Sequence, residues 1–437
     1  MCKNNKEAAG LRLPEKKGTI RMKTLLKKFG TGLCAMAMLT AFAGCSDEGS
    51  TSSTTTTKGG ESSPSANGGS SAGGNTLKIG GIGPVTGGAA VYGQAVKNAA
   101  EIAVEEINAA GGINGMTVEF QFEDDVHDPE KAVNAYNTLK DWGMQLLMGT
   151  VTSGPCQAVV EETHKDGMYQ LTPSGSAVEC VKYDNAFRVC FSDPNQGVGA
   201  AEYIGVNGLA NKVAVIYNSS DIYSTGIYEK FAEEAANQPF EIVSAEAFTE
   251  DSKTDFSVQI QKAKDSGADL VFLPIYYQEA SLILSQSKTA GLNVKFFGVD
   301  GMDGILSLEN FDLTLTEGVM LLTPFAADAT DDKTVAFVTK YVDKFGETPN
   351  QFAADAYDAM YIIKAAAEKA GITADMSVEE IGTKLSEAMT GITFDGVTGA
   401  NTTWQADGEP SKAPKAVVIE TVTDAEGVTT GSYKAMQ

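Results

Sequence analysis

From Leu77 onward the chain switches repeatedly between two hydrophobic periods. In "MTVEFQF", Met116, Val118, Phe120 and Phe122 alternate with polar residues, the two-residue period of a strand. Across residues 92–110, Val96, Ala99, Ala100, Ala103 and Ile107 share one face at helical spacing, and Gly111 and Gly112 end the run. Leu77–Ile82 predicts the first strand. Asp128-Pro129 opens a second helix, with proline at a position where its missing N–H costs nothing. "QLLMG" predicts a strand, a helix follows from about Pro155, and then come "MYQL" and the loop "TPSGSA". The pattern restarts at "KVAVIYNSSDIYSTG" and runs strand, helix, "FEIVSAEAF", helix, "DLVFLPI", helix, "VKFFGVD". Later helices are expected over 350–370 and from Ser377, which has Glu380 three residues on as a capping-box partner. After Gly399 the chain reads as short strands and turns.

Strands alternating with helices give parallel sheets covered on both faces. About 360 residues exceed one such core, so two doubly wound α/β lobes are expected. The stretch "IGGIGPVTGGAAVYG" places six glycines between the first strand and first helix. It matches neither phosphate pattern. Thr86 replaces the third glycine of G-x-G-x-x-G, and Ala89 and Ala90 replace the Lys and Ser/Thr of a P-loop.

The N-terminus changes the picture of compartment. In "MKTLLKKFGTGLCAMAMLTAFAGC", Lys23, Lys27 and Lys28 precede an apolar run, Phe29 to Phe42, too short to span a bilayer. This is the pattern of an export signal starting at Met22, with residues 1–21 an upstream extension. It ends in Cys45, which resembles a bacterial lipoprotein box and would be lipidated, although Phe42 stands where leucine is usual. Residues 46–75 are mostly Ser, Thr and Gly and predict a disordered tether.

The formal charge of −24, from 57 acidic and 33 basic residues, leaves no basic patch to neutralise phosphates and argues against nucleic acid. Of the body's cysteines, Cys156, Cys180 and Cys190, two are expected to pair in an exported protein. Cys180 with Cys190 closes a short loop and is the favoured pairing; Cys156 with Cys180 is the alternative. His127, in the acidic loop "EDDVHDPE", and His164, on a polar helix face, lie away from the serine loops in sequence. The one G-x-S-x-G match, "GSSAG", falls in the tether. A hydrolase triad and a zinc site are therefore not expected.

"GPVTGGAAVYGQAVKNAAEIAVEEINAAGGING", "EDDVHDPEKAVNAY", "LTPSGSA" and "FFGVDGM" together resemble the type I periplasmic binding proteins, and more closely the branched-chain amino-acid (Leu/Ile/Val) receptors of ABC importers. The resemblance covers about residues 76–437. It implies two lobes joined by three crossings, near Ser192–Pro194, Thr323–Phe325 and Thr398–Asn401. Lobe 1 would hold 76–193 plus 325–396, and lobe 2 would hold 194–324 plus 397–437.

The same resemblance implies site residues. Ser153, at a strand-to-helix junction, would hold a ligand carboxylate. Ser174, mainly through its backbone, and Ser176, where the family usually has threonine, would hold the two charged ends. Asp300, where the family often has glutamate, would pair with the ammonium. Tyr92, Tyr223, Tyr276 and Phe352 would wall the side-chain pocket, Tyr223 from a loop about one residue longer than the family's. Strand ends fit independently, because ligands in open α/β sheets bind beyond the carboxyl ends of strands.

The function implied is a lipid-anchored receptor at the outer face of the cytoplasmic membrane. It would be a monomer that closes over a neutral, branched-chain amino acid and delivers it to an ABC permease with its ATPase, with no catalytic residue, metal or cofactor. The alternatives are a sensory protein reporting to a membrane receptor, or a receptor for an aromatic acid, urea or amide. An exported hydrolase is the third class.

Overall fold

The computed structural model describes residues 75–436. The export signal, Cys45 and the tether up to residue 74 lie outside the described residues. The first strand, β1 (Thr76–Gly83), runs into α1 (Ala90–Ala109), then β2 (Thr117–Asp124), α2 (Pro129–Trp142), β3 (Leu146–Gly149), α3 (Ser153–Lys165), β4 (Gln170–Thr172) and β5 (Ala186–Arg188). These five strands form one sheet in the order β2-β1-β3-β4-β5, every pair parallel.

The second half opens with α4 (Asp193–Val206), β6 (Lys212–Asn218), α5 (Ile222–Ala235), β7 (Glu241–Phe248), α6 (Ser257–Asp265), β8 (Leu270–Leu273), α7 (Tyr277–Ala290), β9 (Lys295–Gly298) and β10 (Met320–Thr323). Next come α8 (Asp332–Phe345), α9 (Gln351–Ala370), α10 (Val378–Met389), the short pair β11 (Thr393–Phe394) and β12 (Thr402–Thr403), and finally β13 (Lys415–Thr423) and β14 (Thr429–Ala435). The second sheet has the order β14-β13-β10-β9-β8-β6-β7. Its inner pairs are parallel, while β13 joins β10, and β14 joins β13, antiparallel.

Local chemistry explains the element boundaries. The Asp128 side chain accepts from Lys131 N to cap α2, with Pro129 at the first helical position. Ser377 and Glu380 complete a reciprocal capping box on α10. The helix expected from Pro155 begins two residues earlier, at Ser153. The three-residue strand β5 was not legible in the sequence, since "AFR" is too short to establish a period.

Helix α9 returns to the first sheet and packs along α1. Glu106 of α1 accepts from Tyr357 Oη and Tyr361 Oη of α9, each at 2.6 Å, and pairs with Lys340 of α8. One expectation changes here. β12 pairs with β11, and Trp404 Nε1 donates to Arg188 O at 2.7 Å. Residues 402–411 therefore lie beside β5, and the chain joins the seven-stranded sheet only at β13. The crossing expected near Thr398–Asn401 comes later because burying Trp404 holds that segment to the first sheet.

Gly112 ends α1 in the left-handed region, φ 78°, and a Cβ there would lie 1.8 Å from Met116 O. Gly112→Ala is expected to lower stability by about 1–3 kcal/mol in urea unfolding. An unchanged midpoint would show that the turn relaxes freely.

Candidate functional site

Parallel strands point their carboxyl ends the same way, so the loops after them converge. Val151, Thr152 and Ser153 follow β3, Ser174 and Ser176 follow β4, Tyr223 follows β6, Tyr276 follows β8, and Asp300 and Gly301 follow β9. Tyr92 comes from the first turn of α1 and Phe352 from the start of α9. These eleven residues line one cavity of about 10 Å³, about the space of one water. All eight residues proposed from the sequence meet there. Val151, Thr152 and Gly301 were missed.

Aromatic rings make most of the wall. Tyr223 stacks on Tyr276 with centroids 4.7 Å apart, and Tyr92 lies 4.2 Å from Phe352 and 5.7 Å from Tyr276. The Tyr92 hydroxyl crosses between the two halves, while the Tyr223 hydroxyl braces the Asp300–Gly301 segment within its own half. Tyr92 Oη donates to Gly301 O and accepts from Tyr277 N at 3.2 Å. Tyr223 Oη donates to Asp300 Oδ1 at 2.5 Å and accepts from Gly301 N at 2.8 Å. Gly301 leaves room for this approach, because a Cβ there would sit 2.5 Å from Tyr223 Oη.

The serines take roles the sequence did not separate. Thr152 is the residue preceding α3, so Ser153 is its first helical residue and not a cap. Ser153 Oγ accepts from Ser176 N at 3.3 Å and Ala177 N at 3.2 Å, tying α3 to the "TPSGSA" loop. Ser174 Oγ donates to Val151 O at 2.6 Å. Arg188, fully buried, donates to Gly175 O and Ala177 O and faces Glu409 at 3.3 Å. It holds the loop from below.

Around the cavity several buried polar atoms have no hydrogen-bond partner: Ser176 Oγ, both carboxylate oxygens of Asp193, Gln196 Nε2 and Tyr276 Oη. Asp193 lies close to the Ser176 hydroxyl without reaching hydrogen-bond geometry. Asp300 is 3 % exposed and is a buried carboxylate, not a solvated turn residue. Burial pushes its pKa up to about 6, against the pull of Tyr223, Gln196 and the Gly301 N–H. Burial raises Asp193 well above the usual range, and the nearby Asp300 charge adds to the rise. Asp193 and Gln196 were not singled out in the sequence. Asp193 reads along the chain only as part of a crossing segment, and its burial shows only in three dimensions.

Two further expectations are corrected. His127 does reach the site: its Nδ1 lies 2.9 Å from Thr152 Oγ1, and its ring meets Tyr276 edge-on at 5.4 Å. Its partner is a threonine, not a serine, and burial pushes its pKa down. Cys180 and Cys190 are not joined; all three body cysteines are buried thiols, and Cys180 packs against Cys156. Arg188 and the end of β5 separate the favoured pair. A larger crevice of about 650 Å³ lies between Leu306, Val338 and β14. Its buried acid, Asp303, accepts from Gln351 N at 2.8 Å through one oxygen, while its other oxygen and Tyr433 Oη have no hydrogen-bond partner.

Loops from the parallel strands of two sheets thus converge on one small, polar-lined cavity between two halves. Residues 76–424 match the periplasmic binding protein family, and the chain belongs to it. It is a family of solute-binding proteins, not of enzymes, and membership implies export. The chain is 31 % identical over 327 residues to the leucine-, isoleucine-, valine-, threonine-, and alanine-binding protein of Pseudomonas aeruginosa, covering 74 % of this chain and 85 % of that one. It is 31 % identical to Leu/Ile/Val-binding protein homolog 3 of Brucella melitensis, over 68 % of this chain and 80 % of that one. Among solved structures, the branched-chain amino acid transporter substrate binding protein LivJ of Streptococcus pneumoniae, in complex with isoleucine, superposes with TM-score 0.71 at 28 % identity, covering 83 % of this chain and 100 % of that one. A solute binding protein of R. palustris in complex with benzoate shares the fold, with TM-score 0.70 at 20 % identity over 83 % of this chain and 98 % of that one.

Burial holds the pKa values of Asp125, Asp221 and Asp355 near 7 and that of Asp300 near 6. Between about pH 4 and 7 the folded state therefore binds more protons at these sites than the unfolded chain, and stability falls as pH rises. His127 and Cys156, whose pKa values are lowered, the thiol to about 7, work the other way near neutral pH, and lowered carboxylates such as Glu106 and Glu250 do so at the acid end. The ligand-free protein is expected to melt higher at pH 5 than at pH 7.5 in calorimetry. A midpoint that rises with pH would contradict these assignments.

Proposed function

We propose that the protein captures a neutral amino acid, with branched-chain side chains preferred, by closing two lobes over it and then delivers it to an ABC importer. In this reading Cys45 carries a lipid and residues 46–75 tether the body to the outer face of the cytoplasmic membrane. The lobes divide as 76–193 plus 325–396 and 194–324 plus 397–437, with the third crossing drawn toward Lys415 by the Trp404 contact. The ligand ammonium faces Asp300 and Ser176, its carboxylate lies at the start of α3 near Ser153 and Ser174, and its side chain rests against Tyr92, Tyr276 and Phe352.

One observation carries this reading. The buried Asp300 carboxylate and the unpartnered Ser176 and Tyr276 hydroxyls line one cavity, and Asp193 and Gln196, which also carry unpartnered atoms, are buried behind them beside Ser176 and Asp300. Buried charge is costly unless paired. A ligand ammonium supplies three donors and a positive charge at that place. An aromatic monocarboxylate such as benzoate would fill the carboxylate place at the start of α3 but bring no cation to the buried Asp300, so the amino-acid reading is favoured. The contracted cavity is smaller than leucine, so entry requires the lobes to part. A ligand touching both halves then biases the closed form.

Calorimetry with leucine, isoleucine, valine, alanine and benzoate tests the class. The amino acids are expected to bind and benzoate not to bind; the reverse order would overturn the proposal. Asp300→Ala is expected to weaken amino-acid binding by about 10- to 1,000-fold, roughly 1.4–4 kcal/mol, and unchanged affinity would remove Asp300 from the ammonium site.

A cation binds the ionised form of Asp300, so affinity is expected to hold above pH 6 and to decline as pH falls below it. Asp300→Asn should flatten that decline. A profile of equal slope in the variant would assign the proton elsewhere.

A further inference from the structure

Cys156 lies in the first turn of α3, the helix that begins with Ser153. Cys180 lies in a short 3-10 turn, Val178–Val181, just beyond the loop that carries Ser174 and Ser176. Both side chains are fully buried and pack together with Ala177 in one small cluster. Each sulfur has a polar neighbour from the surrounding loops. Gln170 Nε2 lies 3.4 Å from Cys156 Sγ, and Cys180 Sγ lies 3.8 Å from Ser153 O. A Cβ on Gly175 would come within 3.0 Å of Cys156 Sγ, so the loop can pass this close only with glycine there. Cys190 is buried elsewhere, beyond Arg188 at the end of β5.

Membership of an exported family places these thiols in a compartment where disulfides form and persist. We infer that Cys156 and Cys180 are joined by a disulfide in the exported protein, fastening the start of α3 to the serine loop, while Cys190 stays a free thiol. The oxidant is of the disulfide class, a thiol–disulfide exchange partner. One cysteine thiolate attacks a sulfur of that disulfide and releases one of its thiolates. The second cysteine, having lost its proton, then displaces the other, so two electrons pass to the oxidant, which leaves as two thiols. Both sulfurs are inaccessible once the body is folded, so the exchange takes place on the folding chain, before the serine loop closes over α3.

The consequence follows from where the bond lies. Ser153 Oγ already accepts from Ser176 N and Ala177 N, and a covalent link one helical turn away restrains the same two segments in the unfolded chain. Its effect on ligand affinity rests on the amino-acid reading of the cavity; its existence does not.

The full chain, unfolded with reductant and refolded in a mixture of oxidised and reduced glutathione, is alkylated in denaturant and digested without reduction. A linked peptide pair containing Cys156 and Cys180, with Cys190 alkylated, is expected. Alkylation of both Cys156 and Cys180, or a link that includes Cys190, would overturn the inference. The oxidised protein is also expected to melt several degrees above the reduced protein, and the double variant Cys156→Ser, Cys180→Ser to show no such difference. Equal midpoints for the oxidised and reduced wild type would overturn the stapling role. Peptide mapping uses no ligand, so a missing link and a failure to bind amino acids are separate results.

Discussion

Two carboxylates, Asp193 and Asp300, are buried at the junction of the two halves, and among the described residues neither forms a salt bridge, Arg188 acting on Asp193 only from a distance. Placing ionised groups there is expensive, and burial lifts both pKa values in response. The surrounding architecture can be understood as the means of tolerating that cost. Tyr223 Oη donates to the Asp300 carboxylate and is itself held by Gly301 N–H, while Gln196 Oε1 and Gln351 Nε2 fix the Asp300 backbone N–H and carbonyl. A small cation arriving from outside relieves what the neutral Tyr223 donor relieves only in part.

The scaffold supplies this arrangement by simple means. Parallel strands bring loop after loop to one edge, and the two sheets face each other across those edges. Arg188 and Ser153 stiffen the serine loop from its own side, while Tyr92 and Tyr223 reach the Asp300–Gly301 segment from different helices. The hydrogen bonds from Tyr92 to the chain after β8 and β9 join the halves directly. Closure and the construction of the polar pocket are therefore one event, and a ligand that completes the pocket also favours the closed form.

Much of this was legible in the sequence because it rests on periodicity and on strand ends. The alternating run at Met116–Phe122, the Asp128-Pro129 cap and the Ser377–Glu380 box are local signals, and the structure repeats them. The eight residues proposed for the site lie in strand-end loops or first turns of helices that the fold brings together. What stayed hidden depends on long-range packing. Asp193 reads only as part of a crossing segment until its burial is known, His127 reads as a loop residue until Thr152 and Tyr276 are brought to it, and Trp404 gives no sign along the chain that it will hold residues 402–411 to β5. The neighbour of Cys180 was hidden for the same reason, since sequence proximity favoured Cys190 while packing sets Cys156 beside Cys180.

The most direct test of the central claim is the titration of the Asp300 carboxyl carbon by NMR, with and without L-leucine. Without leucine the group should titrate near pH 6. With leucine bound its pKa should fall to the ordinary carboxylate range or below, because the ammonium then stabilises the ionised form. The same midpoint in both states would mean that no ligand cation reaches this carboxylate, and the account would fail.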